Sequence, residues 1–407
     1  MRKSILTLLV SMLLLAIPIS GRCQEVDLAP TPTPAPIALT PLSRAALLET
    51  PPLHPACAAV LLAEADSGQV IFEMNADVPR PVASVTKLMT ILLTLEALDA
   101  GRLSPGDVIT VSEAAAGMGG SQVLLDVNER QSVDALLKCM VVGSANDAAV
   151  ALAEAMYGSE ELCVEAMNRR AEALGMTGTH FENCTGLPAG GQQTTARDVA
   201  VMSRQVFAHP HYFDLSPIWM EDIDHGDGRV TQLVNTNKLL RLCDGCDGGK
   251  TGSTKEAGYC VSATARRGDM RLIAVVLGAE SGKERFAIAR EMLEYGFANY
   301  RRYPVAVRGT KVRGRLPVTG GQQEGVSLLL DGELTLLVNR GDEQRVTLAP
   351  DLPESLPAPV EAGQCVGHVR VLADGREIAQ IPVVAAEAVK ARAAGWRRIL
   401  ERWVSIF

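Results

Sequence analysis

The chain carries PVASVTKLMTILLTLEAL over residues 81–98. Leu88, Leu92, Leu95 and Leu98 recur at helical spacing and Ile91 widens the stripe, which predicts a helix from Ser84 to Leu98. Pro79 and Pro81 stand just ahead of it. Ser84 opens this helix, and Lys87 follows three residues later, a spacing that puts two helical side chains on one face. Two further short motifs follow in order: Ser144-Ala145-Asn146, between two expected helices, and Lys250-Thr251-Gly252, at a Gly-rich strand start. Each is weak alone. A Ser-x-x-Lys arises by chance about once or twice in a chain of this length. In isolation Ser84 reads as a helix N-cap, Lys87 as a solvated helix residue, Ser144 and Asn146 as turn residues, and Lys250–Gly252 as a surface turn. The ordered set, on these particular elements, is what carries weight.

Outward from this helix, 56–64 and 69–74 flank Asp66-Ser67-Gly68 as a strand hairpin. Helices are expected over Ser132–Met140, Asn146–Tyr157, Glu160–Leu174 and Thr195–Phe207, the last with Thr195 and Asp198 placed as a capping box. Past Lys250, 258–265 and 271–278 flank Arg267-Gly268-Asp269 as a second hairpin, and Glu284–Tyr300 is again helical. Strands first, helices in the middle, and strands with a helix last predict an α+β domain over 56–300, an antiparallel sheet with segregated helices. Over 303–383 helical periodicity stops, and short Val/Leu runs are broken by turn pairs such as Asp331-Gly332 and Asp374-Gly375. A small all-β domain, a sandwich, is expected there.

The 407 residues allow two or three domains, and 47% hydrophobic content supports a sizeable core. The net charge of −8 argues against nucleic acid as a partner. Residues 1–23 read as a secretory signal, with Arg2 and Lys3 before a largely apolar run to Ile19 that is short for a membrane span. Arg22 stands where a lipoprotein site wants a small residue. Residues 24–55 are a Pro-rich, extended linker. An exported protein is therefore expected. Its nine cysteines show no disulfide framework. Cys57, Cys139, Cys163 and Cys184 read as buried small hydrophobes. Cys243-Asp244-Gly245-Cys246 offers only two of the four ligands a structural zinc takes, so a local disulfide or two idle thiols is expected, and no metal or cofactor. Over 386–407, Val389, Ala393, Trp396, Leu400, Trp403 and Phe407 fall on one helical stripe among Lys390, Arg392, Arg397, Arg398 and Arg402. That composition fits an amphipathic helix packed on the β-domain or one lying on a membrane surface, and its Trp and basic residues favour the membrane surface.

The three motifs suit nucleophilic chemistry. A serine hydroxyl needs an adjacent base, and Lys87 can serve if burial and a second cation, such as Lys250, bring its ordinary pKa of about 10.4 down. Ser144 can relay a proton, and Asn146 can contact a substrate amide. Lys250 offers a cation for a carboxylate, Thr251 a hydroxyl, and Gly252 close backbone approach to an extended peptide. The N–H groups of Ser84 and Ser253 are candidate oxyanion donors. Asp147 is expected to fix the loop beside Asn146, His180 to be structural, and Arg301-Arg302 to be a solvated junction.

The triple is a known signature of β-lactam-recognising serine enzymes, and the likeness extends further. The stretches 81–90, Gly120-Ser121, 144–148, 180–187 (His-Phe-Glu-Asn-Cys-Thr-Gly-Leu), 235–240 and 247–252 resemble the low-molecular-mass penicillin-binding proteins, and among them the D-alanyl-D-alanine carboxypeptidases. The resemblance covers 56–300 and extends loosely to the β-domain and the terminal anchor. It implies a β-lactamase/transpeptidase-like fold and removal of the terminal D-alanine from peptidoglycan stem pentapeptides. It further implies acylation of Ser84 with Lys87 as base and Ser144 as proton relay, a carboxylate held by Lys250 and Thr251, and penicillin as a covalent inhibitor. Ala145 departs from the glycine more usual there. A D,D-endopeptidase or transpeptidase would use the same set, and a silent peptidoglycan-binding protein would keep the fold. A class A β-lactamase would also need a Glu-x-x-x-Asn, which does not occur between Ser144 and Lys250.

Overall fold

The computed structural model describes residues 51–392. The expected signal of 1–23, most of the linker and the helical stripe beyond Arg392 lie outside them.

A five-stranded antiparallel sheet organises the first part. Its order is Val70–Met74, Ala59–Glu64, Met270–Ala279, Gly258–Arg267 and Cys246–Thr254. The N-terminal hairpin thus closes against the strands that follow the helices, and Cys246–Thr254 is left as an edge. Ala59–Glu64 is buried at every residue because both faces of the sheet are covered. Leu61, Ala63, Ile273 and Val275 face the central helices. Leu62, Leu272, Ala274 and Val276 face the helix Gly282–Asn299 through Phe286, Ala289, Met292 and Leu293.

The helix read from 81–98 begins at Lys87 and runs to Asp99; Ala83–Thr86 ahead of it form a 3-10 turn. Its apolar stripe understates its burial. Thr90, Thr94, Met89 and Lys87 are buried with the leucines, so the helix is enclosed nearly all round. Asn146–Tyr157 forms as expected, and Glu160–Ala173 and Ala196–Val206 differ by a residue or two at their ends. Thr195 Oγ1 accepts from the Asp198 N–H, as the capping pattern anticipates. The helix expected over Ser132–Met140 stops at Lys138 and continues as a π-turn, Cys139–Gly143. The hairpin of Met220–Asp224 with Val230–Val234 was not anticipated. Its outward face keeps Met220, Val230 and Val234 exposed, so it lacks a clean polar alternation.

Tyr300–Ala306 follows the preceding helix without a break and pairs with Leu334–Asn339. This two-stranded ribbon packs on a six-stranded sheet built from 311–385, over a core of Val326, Leu328, Val369, Val371, Ile381 and Val383. Arg301 stays exposed, as a solvated junction would have it, but both Arg301 and Arg302 are paired. Arg301 bonds Glu343 at 3.2 Å, and Arg302 reaches Asp66 and the Asp269 carbonyl, tying the ribbon to the turns of both hairpins. The expected start of a helix at 386 is corrected. Val389 exchanges backbone hydrogen bonds with Val360 and is buried in the β-core, so the chain there is extended. The eight cysteines from Cys57 onward are free thiols, Cys243 and Cys246 included. Cys57 and Cys246 are only partly buried. Among the described residues no helix is long and apolar enough to cross a membrane.

Candidate active site

Ser84 sits in the 3-10 turn, where side chains three apart eclipse, and Lys87 Nζ lies 3.0 Å from Ser84 Oγ. The same amine donates to the Thr185 carbonyl at 2.6 Å and is wholly buried. Burial brings its pKa down from 10.5 to about 7, against smaller opposing pulls from Cys184 and Asp147. Desolvation, and not the second cation expected from the sequence, brings this lysine near neutrality.

The turn bearing Thr185 is knitted by one side chain. Asn183 Oδ1 accepts from the Thr185 N–H, the Thr185 hydroxyl and the Gly186 N–H at 3.2, 3.1 and 2.7 Å. Gly186, at φ +85°, then lies so close to Ser84 that a Cβ there would stand 2.0 Å from the Ala83 oxygen and 2.9 Å from Ser84 N. From the other side a Cβ on Gly252 would meet the Val82 oxygen at 2.4 Å and Ser84 N at 2.9 Å. The backbone of Ser84 is pinched between two glycines on separate elements.

Ser144 ends the π-turn in a left-handed conformation, φ 63° and ψ 28°, which is rare for a non-glycine residue. That turn aims its hydroxyl at Lys250 Nζ, 2.7 Å away. Asn146 opens the next helix; its Nδ2 donates to the Gly119 carbonyl at 2.6 Å, while its Oδ1 is buried without a partner among the described residues. Asp147 does fix the loop, accepting from the Val123 and Leu125 N–H groups at 3.0 and 3.2 Å.

Lys250 lies in the middle of its strand, opposite Ser262, not at its start. Its ammonium is held well below the usual lysine range by burial, then by Lys87 and Arg285. Thr251 Oγ1 donates to Thr236 Oγ1 at 2.8 Å, and Ser253 is exposed. Arg285, from the helix Gly282–Asn299, donates to the Gly252 and Cys260 carbonyls at 3.0 and 3.2 Å, and its buried Nε has no partner. Among the described residues no carboxylate pairs with Lys250 or Arg285. The structure thus gathers Ser84, Lys87, Ser144, Lys250, Thr251 and Gly252, with Asn146 on the adjoining loop and Ser253 at the strand's exposed end. Sequence reading missed the Thr185 carbonyl, Asn183, Thr236 and Arg285. Asn183-Cys184-Thr185-Gly186 carries an Asx-turn signal that marks a turn but not its target. Arg285, in the first turn of its helix, carries no local signal.

The family model of D-alanyl-D-alanine carboxypeptidase matches residues 46–281, and that of the penicillin-binding protein 5 C-terminal domain matches residues 300–391. The chain is 37% identical over 350 residues to D-alanyl-D-alanine carboxypeptidase DacF of Bacillus subtilis, covering 86% of this chain and 89% of that one. Against D-alanyl-D-alanine carboxypeptidase DacA of Escherichia coli it is 32% identical over 340 residues, covering 81% and 82%. Penicillin-binding protein 5 from Haemophilus influenzae superimposes with a TM-score of 0.73 at 29% identity, over 84% of this chain and 100% of that one. Penicillin-binding protein D2 from Listeria monocytogenes, in its ampicillin-bound form, does so with a TM-score of 0.55 at 32% identity, over 61% of this chain and all of that one. A serine bonded to a buried lysine, beside a strand whose Lys250 has no carboxylate partner among the described residues, and these likenesses lead to one conclusion: the chain belongs to the D-alanyl-D-alanine carboxypeptidase family of serine peptidases, the S11 peptidases.

Proposed function

We propose that the protein removes the terminal D-alanine from peptidoglycan stem pentapeptides through an acyl-enzyme on Ser84. The observation that carries this is the buried Lys87 amine, with a pKa of about 7, 3.0 Å from Ser84 Oγ. Half of such amines are unprotonated near neutral pH and can take the serine proton. Arg285 and the buried Lys250 amine stand at the edge strand with no protein carboxylate to match them among the described residues, which suits the C-terminal carboxylate of a peptide. That carboxylate would also restore the depressed charge of Lys250. Thr251 adds a hydroxyl, and Asn146 contacts a substrate amide.

The peptide lies along the edge strand Cys246–Thr254 as an added strand. Ser84 Oγ attacks the penultimate D-alanyl carbonyl, its proton passing to Lys87. The N–H groups of Ser84 and Ser253 receive the oxyanion. Ser144, bonded to Lys250, relays a proton to the departing amine. Water then releases the shortened peptide and restores Ser84. Penicillin enters the same path and stops as a stable acyl-enzyme on Ser84.

We read residues 56–300 as the catalytic unit and 303–383 as a separate β-unit. The charged start and apolar run of 1–23 support export, and the Trp-rich, basic end of 386–407 supports peripheral attachment to the outer face of the cytoplasmic membrane, from about residue 393 onward. Mass spectrometry of a synthetic pentapeptide ending in D-Ala-D-Ala tests the reaction. Loss of one alanine, abolished by Ser84→Ala, is expected. An intact peptide, or cleavage that survives the substitution, would sink the proposal.

A further inference from the structure

Beside Ser84, on the side away from Lys250, lies a cleft of about 220 Å³. One wall is Arg80–Ala83, a second is the turn 186–193, and the third is the end of the Lys250 strand, Thr254 with Glu256. Lys250, Gly252 and Thr254 follow one another along that strand, with Gly252 against Ser84. Lys250 to Thr254 spans roughly 13 Å at about 3.3 Å per residue. A peptide with its carboxylate at Lys250 and its reacting carbonyl at Ser84 therefore sends its upstream residues past Thr254 and into this cleft.

Arg80 is built into the wall. Pro79 and Pro81 restrict the backbone on either side of it. Its own N–H and carbonyl both bond Thr194, at 2.8 and 2.9 Å. Yet among the described residues its guanidinium has no hydrogen-bond or ion-pair partner, and its Nε is closed off from solvent. A merely solvated surface arginine does not account for a buried, unpaired donor, which is costly to keep. The neighbouring thiols are no counter-charge: burial pushes Cys57 up to about 11 and raises Cys260. Glu256 stands exposed at the rim, beyond ion-pair distance from Arg80.

We propose that Arg80 anchors an anion subsite on the acyl-donor side of the cleft, taking a carboxylate on the side chain of the residue just before the terminal D-alanyl-D-alanine pair. This rests on the carboxypeptidase reading above. Two acetylated peptides of equal size test it, one with glutamate and one with glutamine before D-Ala-D-Ala, followed by D-alanine release. The wild type is expected to favour the glutamate peptide about fivefold in kcat/KM, as a charge-assisted bond would, and to lose that preference as salt is added. Arg80→Gln brings the ratio to about one, and Arg80→Lys retains part of it. Equal rates for both peptides in the wild type, or a preference that survives Arg80→Gln, overturn the subsite and leave the carboxypeptidase reading standing. Release from neither peptide overturns both. The wild-type ratio and its salt dependence decide the matter even if Arg80→Gln fails to fold.

Discussion

The two parts of this molecule handle polar burial in opposite ways. Every buried polar or charged side chain among the described residues falls between Glu64 and Thr264, and residues from 300 onward contribute none. The β-domain buries valine, leucine and isoleucine, and keeps its ion pairs, such as Arg345 with Asp374 and Arg315 with Glu387, at the surface, where such pairs add little. The catalytic part buries Lys87, Lys250, Asn146 and Asp147 together. Burying charge is unfavourable, and a fold does not require it, as the β-domain demonstrates. Where it occurs, it produces the neutral amine that the proposed chemistry uses.

Substitutions can break that contrast. The largest effect belongs to Ser84→Ala, which is expected to abolish covalent labelling by fluorescent penicillin; residual labelling would place the nucleophile elsewhere. Lys87→Met should cut the acylation rate by about a thousandfold or more, in the range of a lost base, while raising thermal stability. The folded pKa of Lys87, about 7, lies below its unfolded value of 10.5, so between these the unfolded chain binds more protons and wild-type stability rises with pH. The cost of the buried amine is therefore complete below pH 7 and gone above 10.5. The variant's advantage should be on the order of 2 kcal/mol at pH 6, since lost bonds to Ser84 and Thr185 offset part of the shift, and should vanish at high pH. A variant less stable at pH 6 would contradict this.

Gly186→Ala forces a methyl group onto the Ala83 carbonyl, and displacing the nucleophile should slow acylation about a hundredfold. A near-normal rate would show that the two-glycine pinch is not needed. In the wild type, acylation should fall about tenfold per pH unit below roughly pH 7 as Lys87 is protonated. A flat profile down to pH 5 would remove Lys87 as the base. Leu328→Ala, in the β-core, is expected to cost about 3 kcal/mol in denaturant unfolding and leave acylation unchanged. A change in acylation rate there would show that the two parts are coupled.

Much of this was legible in the residues. The helix after Ser84, Asn146–Tyr157, the thin hairpin turns and the Thr195 cap follow from apolar spacing and turn chemistry, which act over a few residues. The π-turn at Cys139–Gly143 was not legible, because hydrophobic spacing there continues as if the α-helix did. Nor was the pairing of Val389 with Val360, where an apolar position on a helical stripe is instead taken up by a distant strand. In the candidate site, the three motifs single out Ser84, Lys87, Ser144 and Lys250, which the fold brings together, but the groups packed around them, the Thr185 carbonyl and Arg285, lie 98 and 33 residues from their partners.

The sequence by itself determined which side chains are present and which neighbours along the chain share a face: Ser84 with Lys87, and the apolar core of each element. Only the tertiary structure decided that Lys87 is enclosed and held near neutrality, that Ser144 meets Lys250, and that two glycines from separate elements grip the backbone of Ser84. Periodicity is a local property of a chain, whereas desolvation depends on everything packed around a group.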